Sequence, residues 1–181
     1  MDVIQDLFFA QQALATLFSV TNKLQMQGDK YLQDLTIRQM LAVPAIIHAP
    51  DGKATINHIA RKLGTTKQSA KQIVTVMEKK KYLSTGPSER DKRAVNVTIT
   101  PEGERSFSVC SERTDVFLED IFHDFTTEDL ETLCTLLGKL YRFDGVGQEG
   151  LEAHMGRHEG DADSILQHHQ NYLKRRTHNH A

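Results

Sequence analysis

Residues 56–79 read INHIARKLGTTKQSAKQIVTVMEK. Apolar residues recur twice at the spacing i, i+3, i+4, i+7, first as Ile56, Ile59, Ala60 and Leu63, and then as Ala70, Ile73, Val74 and Met77. Gly64 is the residue type that ends a helix, and Thr66 is a preferred N-cap for the next one. The stretch therefore predicts two short amphipathic helices joined by a tight turn, which is the helix-turn-helix arrangement.

A β-hairpin is expected directly after the second helix. Beyond Tyr82 the apolar period changes from 3.6 to 2, since Val95, Val97 and Ile99 alternate with polar residues. The partner strand is predicted at about residues 83–86, and the link between the two strands is polar and charged. A hairpin in this position is the wing of a winged helix.

The same part of the chain carries a concentrated positive charge. Residues 53–93 contain eleven Lys/Arg and three acids, a formal charge of +8, whereas the rest of the chain contains eleven bases and twenty-one acids. The whole-chain charge of −2 hides this division. A compact basic segment in an acidic protein is typical of a polyanion-binding surface, most often one for nucleic acid. The alternative is a solvated charged face with no partner.

The exposed face of the second helix favours DNA. When the apolar stripe faces inward, the opposite face carries uncharged amides flanked by lysines, and its first two turns are the part that enters a major groove. Gln pairs with adenine edges, Lys reaches guanine or phosphate, and the helix start offers N–H groups to a phosphate. The predicted DNA contacts on this helix are Thr66, Lys67, Gln68, Ser69, Lys71 and Gln72.

The wing is predicted to make a second DNA contact. Arg90, Lys92 and Arg93 lie at its tip, where Arg side chains suit a narrow minor groove. Asp91 is close enough to orient a neighbouring Arg by a charge-assisted hydrogen bond. An exposed charged loop without a partner is the alternative.

Long helices are predicted on either side of this lobe. Helical spacing covers residues 2–26, and Gly28-Asp29 is expected to interrupt the helix after them. Thr36 with Gln39 forms a capping box for the next helix. Pro44 is expected to kink that helix. Thr100 starts a helix of about 35 Å, and Thr126 caps the last one. The fold class is therefore mainly α, with a small β component (α+β).

Composition narrows the range of functions. We expect no membrane span, because no run of about 18 apolar residues is evident. The acidic N-terminus is not a secretory signal, and two cysteines without a CxxC pair favour a reducing cytoplasm. We predict no catalytic residue, no cofactor and no enzymatic activity, because no nucleophile, general-base pair or phosphate loop stands out.

Two residue types leave alternatives open. Cys110 and Cys134 are predicted to be buried, inert thiols, with oxidation sensing as the alternative. His154 and His158 have the i, i+4 spacing of metal ligands in the His-rich tail. Glycines nearby weaken a helix there, so we predict a solvated tail and no metal site.

The order of these parts resembles the MarR family of bacterial winged-helix repressors. The likeness covers residues 2–143, and its most specific part is Asp-x-Arg in the wing followed by Ile-Thr-x-x-Gly at the strand end. The matching segments are Leu35-Thr36-Ile37-Arg38-Gln39, Ile56-x-x-Ile59-Ala60-x-x-Leu63-Gly64, Thr66-Lys67-Gln68-Ser69, Met77-Glu78-Lys79-Lys80 before Tyr82-Leu83, Ser88-Glu89-Arg90-Asp91-Lys92-Arg93-Ala94 and Thr98-Ile99-Thr100-Pro101-Glu102-Gly103.

The resemblance implies a homodimer that binds a palindromic double-stranded DNA operator as a repressor. Many family members release DNA when a small aromatic molecule binds between the dimer helices and the DNA lobe. The candidate lining residues here are apolar side chains of the first, second and fifth helices, with plain core packing as the alternative. The residues implied in dimer or helix-bundle packing are Phe8, Phe18, Phe117, Ile121, Leu137 and Tyr141. The alternative is that these stripes close a monomeric bundle.

The resemblance also divides the chain. We predict an N-terminal dimerisation helix at 1–34, a winged helix-turn-helix lobe at 35–100, long C-terminal dimerisation helices at 101–143 and a flexible or partly helical His-rich tail at 144–181. Lys81 departs from the family, which usually has Gly there, so Lys81 must be left-handed or the helix must end differently. The alternative functions are a winged-helix module for protein–protein interaction and a metal- or redox-responsive regulator.

Overall fold

The computed structural model describes residues 3–50, 54–87, 95–145 and 150. Its elements are α1 (Val3–Leu32), α2 (Ile37–Ile47), β1 (Ala54–Thr55), α3 (Ile56–Lys62), α4 (Lys67–Lys79), β2 (Leu83–Pro87), β3 (Val95–Ile99), α5 (Pro101–Phe122) and α6 (Thr127–Tyr141). The predicted mainly helical winged-helix fold is confirmed. Of the predicted flexible or partly helical tail, 144–181, the described residues include only 144, 145 and 150.

The helix-turn-helix forms as predicted. α3 ends at Gly64, whose φ of +58° lets the chain turn sharply into α4. The N–H of Thr65 donates to the Ala60 carbonyl at 2.9 Å and the N–H of Gly64 to the Arg61 carbonyl at 3.0 Å, which is a Schellman ending. Thr66 then caps α4. The turn is therefore built from hydrogen bonds local to the sequence.

The sheet contains the predicted hairpin and one additional strand. β2 and β3 pair antiparallel from Leu83 opposite Ile99 to Pro87 opposite Val95. Val97 points into the core and is almost completely buried. β1 pairs with the other edge of β3, so the strand order is β1-β3-β2. The two residues of β1 are too short to give a period, which is why the sequence did not reveal them.

One hydrophobic core holds the lobe together. It joins α2, α3, α4 and the sheet to the first half of α5, and its most completely buried large side chains are Leu32, Ile59, Met77, Leu83, Val97 and Cys110. The predicted capping box of α2 is present, with the Thr36 hydroxyl accepting from the Gln39 N–H at 3.2 Å. α2 continues through Pro44 to Ile47.

The predicted break at Gly28-Asp29 is wrong, because α1 continues through both residues to Leu32. Gly28 instead serves close packing. A Cβ at this position would lie 2.2 Å from Cγ1 of Ile37 and 3.1 Å from the Phe117 ring. The Asp29 carboxylate accepts from the Ile37 N–H at 2.7 Å and so binds the start of α2. Glycine here admits the neighbouring helices at a small cost in helix propensity.

The start of α5 lies directly against the end of α4. The Thr100 hydroxyl accepts from the Gly103 N–H at 3.0 Å and donates to the Lys81 carbonyl at 2.6 Å. A Cβ on Gly103 would lie 2.1 Å from the Tyr82 carbonyl oxygen. Glycine is therefore required where the backbones of these two segments meet.

The N-terminal half of α1 and all of α6 have little cover within one chain. α6 contains no buried residue. Large apolar side chains on both helices are exposed, including Phe8 at 60%, Phe18 at 66% and Leu136 at 58%. An unpaired apolar area of this kind is typical of a surface that binds another protein.

The membrane expectation needs a correction for α1. By length and composition alone, this helix is long and apolar enough to cross a bilayer. Polar residues interrupt its apolar run, but few of them are charged, so its mean hydropathy stays high. One such helix near the N-terminus is weak evidence for a membrane span. A surface that binds another protein would account for the same apolar content.

We expect Gly103→Ala to lower the free energy of unfolding by about 1–3 kcal/mol, because the new methyl group would force α5 away from the backbone of Tyr82. Chemical denaturation monitored by circular dichroism measures this. Gly138→Ala is the matched control, since its Cβ would meet only the Arg142 side chain at 3.9 Å. The control should stabilise α6 by up to about 1 kcal/mol. Equal effects of the two substitutions would contradict the packing assignment.

Candidate nucleic-acid interface

α4 presents the face predicted from the helical wheel. Its buried residues are Ala70, Val74 and Met77. The predicted contact residues lie on the outer side and are exposed, except for the half-buried Ser69; the exposed ones are Thr66, Lys67, Gln68, Lys71 and Gln72. The structure thus brings the α4 part of the predicted site together on one surface.

Thr66 and Ser69 fix the start of α4. The Thr66 hydroxyl oxygen accepts from the Ser69 N–H at 3.1 Å and lies 3.0 Å from the Ser69 hydroxyl. These bonds satisfy a first-turn N–H group that would otherwise lack a helical partner. Among the predicted contact residues, these two therefore also preorganise the others.

Arg38 is an exposed cation at this surface that was not among the predicted contacts. Its guanidinium donates to the Thr65 hydroxyl at 3.2 Å, which links α2 to the turn before α4. The two residues are 27 positions apart, so their contact exists only in the folded chain. The signal in the sequence was the position of Arg38 in the first turn of a capped helix.

The wing is described only at its base. The predicted residues Arg90, Asp91, Lys92 and Arg93 lie outside the described residues. At the base, the Thr85 hydroxyl on β2 donates to the Glu78 carboxylate on α4 at 2.6 Å. This bond ties the strand that leads into the wing to the recognition helix.

α4 ends at a left-handed Lys81, the position where the family usually has glycine. Lys81 has a φ of +63°, so of the two alternatives expected from the resemblance the left-handed conformation is the one observed. Its N–H donates to the Glu78 carbonyl at 2.8 Å, and the Tyr82 N–H donates to the Met77 carbonyl at 3.0 Å. This is a second Schellman ending, built with a non-glycine residue at a cost of about 1–2 kcal/mol.

The basic side chains of the segment fall into two groups. Lys67, Lys71 and Lys79 are exposed on α4. Lys80 is also exposed, but its ammonium donates to the Asp34 carbonyl, and the half-buried Lys62 donates to the Gly150 carbonyl at 3.3 Å. The formal charge of the segment therefore overstates the number of cations directed outward.

The predicted dimer residues also fall into two groups. Phe8, Phe18, Leu137 and Tyr141 are exposed on α1 and α6. Phe117 is buried within one chain, where its ring lies 5.2 Å from that of Tyr31. Ile121, one turn further along α5, is half-buried. Phe117 is thus a packing residue between α1 and α5 of the same chain.

An apolar groove of about 840 Å³ lies between α1, α6 and the helix-turn-helix turn. This groove is lined by α1, α3, α6 and the turn, and the effector site expected among the first, second and fifth helices stays a prediction. The lining residues are Leu14, Leu17, Phe18, Ala60, Arg61, Gly64, Thr65, Leu137, Leu140, Tyr141, Phe143 and Asp144.

The two cysteines differ. Cys110 is buried as predicted, and burial raises the pKa of its thiol while the nearby Arg113 charge opposes the rise. Cys134 is exposed, so the prediction that it is buried is wrong; within the described ranges, no residue of α6 is buried. Among the described residues, no group of three or more His, Cys, Asp or Glu side chains could hold a metal ion. His154 and His158 lie outside those residues.

Residues 33–94 match the model of the MarR family. The likeness to the MarR family is confirmed. The matched segment contains α2, the helix-turn-helix and the start of the hairpin, and so coincides with the MarR-type lobe and the surface just described. No curated protein sequence matches the chain.

Solved MarR-type structures share the fold. MepR of S. aureus in complex with DNA has a TM-score of 0.63 at 20% identity, covering 70% of this chain and 95% of that one. A mutant MarR of E. coli with operator DNA has a TM-score of 0.64 at 20% identity, covering 77% and 99%. An organohalide-sensing regulator in its 2,4-dichlorophenol-bound form has a TM-score of 0.66 at 17% identity, covering 77% and 83%.

We expect Lys81→Gly to raise the free energy of unfolding by about 1 kcal/mol, because glycine adopts the left-handed conformation without the clash of a Cβ. Lys81→Ala is the control, since it removes the same charge and keeps the strain. Urea denaturation should therefore rank glycine above both lysine and alanine. A gain of the same size in Lys81→Ala would assign the effect to charge.

Proposed function

We propose that this protein is a MarR-type transcription regulator that binds a specific double-stranded DNA sequence. The observation that carries the proposal is the outer face of α4, where exposed amides and lysines lie together on a doubly capped helix. This face belongs to a segment with a formal charge of +8 in a chain of −2. The acidic remainder of the chain would be directed away from phosphates, and the basic lobe toward them.

α4 would enter the major groove with its N-terminal turns. Gln68 and Gln72 carry amides that can pair with adenine edges, while Lys67 and Lys71 can reach phosphate or guanine. Arg38, exposed beside the turn, adds a cation at the groove edge. Arg90, Lys92 and Arg93 of the wing remain predicted contacts of the adjacent minor groove, with Asp91 orienting them.

Two similar structures support duplex DNA as the partner. MepR was solved in complex with DNA, and the E. coli MarR mutant was solved with operator DNA. Their folds match this chain over 70% and 77% of its length. A winged-helix lobe of the same fold with a polar, cationic recognition helix is suited to the same type of partner.

The functional unit is proposed to be a homodimer on a palindromic operator. The exposed apolar stripes of α1 and α6 need a covering surface, and a second copy offers the same stripes by two-fold symmetry. Two α4 helices related in this way can read half-sites about 34 Å apart, one turn of B-DNA.

Repression relieved by a small aromatic effector is the regulatory part of the proposal. The groove between α1, α6 and the helix-turn-helix turn is lined mainly by apolar and aromatic side chains and lies beside the lobe. The organohalide-sensing regulator of similar fold is described in a form bound to 2,4-dichlorophenol. Binding at such a boundary can shift the lobes and favour release of DNA. A protein acting on bacterial operators would work in the cytoplasm.

A second candidate is a protein-interaction module. The exposed stripes of α1 and α6 would suit an apolar protein partner as well as a second copy. Salt separates the two candidates. DNA affinity falls log-linearly with salt concentration because counterions are released, whereas association through apolar area does not.

The direct test is selection of bound fragments from random duplex DNA, followed by binding measurements between about 50 and 200 mM salt. Gln68→Ala should weaken binding to the selected sequence by about 1–3 kcal/mol and hardly change binding to random duplex. Arg93→Ala should weaken both and lower the salt slope by about 1. Absence of any duplex binding at low salt would reject the proposed function.

The dimer is tested by charge substitution on the exposed stripes. Phe8→Asp and Leu137→Asp should each weaken self-association by about 1.5–3 kcal/mol, because each removes a large apolar side chain from the buried area. Sedimentation equilibrium measures the dissociation constant. Ile47→Asp, at an exposed apolar position on α2, is the control and should leave it unchanged. Unchanged dissociation constants in both stripe variants would contradict this interface.

A further inference from the structure

We propose that Lys80 and Arg113 form a clamp on the α1–α2 loop, residues 33–36, and that this clamp sets the angle of the recognition helix relative to the long helices. It rests on the proposed DNA-binding function and extends it. Both residues would act as positioning residues, and the property they set is the preferred spacing of the two operator half-sites.

The loop is short and strained. Gln33, directly after α1, has a φ of +59°, which is costly for a residue with a Cβ. The Asp34 N–H donates to the Leu32 carbonyl at 2.7 Å, and Leu35 is buried in the core. Thr36 then caps α2. Because both ends are held, the loop is suited to transmitting position between helices.

Two cations hold this loop from different elements. Lys80 is the C-cap residue of α4, and its ammonium donates to the Asp34 carbonyl. Arg113 on α5 donates to the Leu32 carbonyl at 3.0 Å, and the same nitrogen lies 3.6 Å from the Asp34 carboxylate. The Leu32 carbonyl belongs to the last turn of α1, where a cation also meets the negative end of the helix dipole.

The contacts connect α4, the proposed DNA-reading helix, to α5 and to the end of α1, which carries one of the exposed apolar stripes. Lys80 links α4 to the end of α1, and Arg113 links the same loop to α5. The adjoining Lys81 carbonyl accepts from Thr100 at the start of α5. The C-terminal end of α4 is therefore held on two sides by polar contacts, while the buried face of the helix, Ala70, Val74 and Met77, packs into the core of the lobe.

A small change of angle at the C-terminal end of α4 moves its N-terminal end by a distance comparable to one base-pair step. α4 has 13 residues, so it is about 20 Å long. Because α4 is packed into the lobe, it moves with it, and a tilt of the lobe by about 10° around the clamped end of α4 would move the opposite end of the helix by about 3.4 Å, which is the rise of one base pair. A small loosening of the clamp would therefore permit half-sites one base pair nearer or farther.

The salt slope of DNA binding should distinguish Lys80 from its neighbour Lys79. Lys79 is exposed on α4 two turns after Gln72, so its ammonium is free to contact a phosphate in the proposed complex. The ammonium of Lys80 is directed to the loop carbonyl. A phosphate contact contributes about 0.9 to the salt slope of binding, and a positioning residue contributes nothing to it.

The experiment uses the full chain and three duplexes: the operator selected by the protein, and the same half-sites with one base pair inserted or deleted between them. The variants are Lys80→Met, Lys80→Arg, Arg113→Met and, as a matched control, Lys79→Met. Affinity is measured on each duplex across a salt series, and thermal unfolding reports the stability of every variant.

We expect Lys80→Met to reduce the preference for native spacing over altered spacing by about threefold to fivefold, which is the upper range for an exposed charged contact, with the salt slope unchanged. Arg113→Met should have the same effect, and Lys80→Arg should restore wild-type preference. Lys79→Met should lower the slope by about 0.9 and leave the spacing preference intact.

A lower salt slope with unchanged spacing preference in Lys80→Met would overturn the inference and make Lys80 a phosphate contact. A salt slope and a spacing preference that are both unchanged in Lys80→Met would also overturn the inference. A stability loss with equal weakening on all three duplexes would assign Lys80 a structural role only and would likewise overturn it. If the wild type bound no duplex, the proposed function itself would fail, which is a different result from any of these.

Discussion

The close approach of α5 to the end of α4 is the constraint on which the rest of the lobe depends. Gly103 lies where a side chain would collide with the Tyr82 carbonyl, and Thr100 bonds to the backbone of the same turn. The turn exists because Lys81 accepts a left-handed conformation. A recognition helix ending elsewhere would move both the wing strands and the long helix, so three elements share one local geometry.

Charge and packing divide the molecule into two kinds of surface. The lobe carries exposed lysines and amides on α4, whereas α1 and α6 carry exposed aromatic and aliphatic side chains. The first kind suits a hydrated polyanion, and the second suits a dry interface. The proposed dimer uses both at once, since the apolar stripes would fix the distance between two cationic faces.

Much of the lobe could be predicted because its signals are local. Thr36, Thr66, Thr100 and Thr126 cap the helices at which the sequence placed them, since a hydroxyl three residues before an N–H needs no tertiary partner. The break expected at Gly28 was wrong for the opposite reason. A glycine in a helix signals either flexibility or close packing, and only the position of Ile37 decides which.

The sequence by itself determined the order of the elements, the inward stripes of α3 and α4, and the outward amide-and-lysine face, because each depends on spacing of residues along one segment. Only the tertiary structure decided which cations point outward, that Phe117 packs within one chain while Phe8 is exposed, and that Lys80 and Arg113 meet at one loop. Those outcomes depend on distances between segments remote in the chain, which no local period encodes.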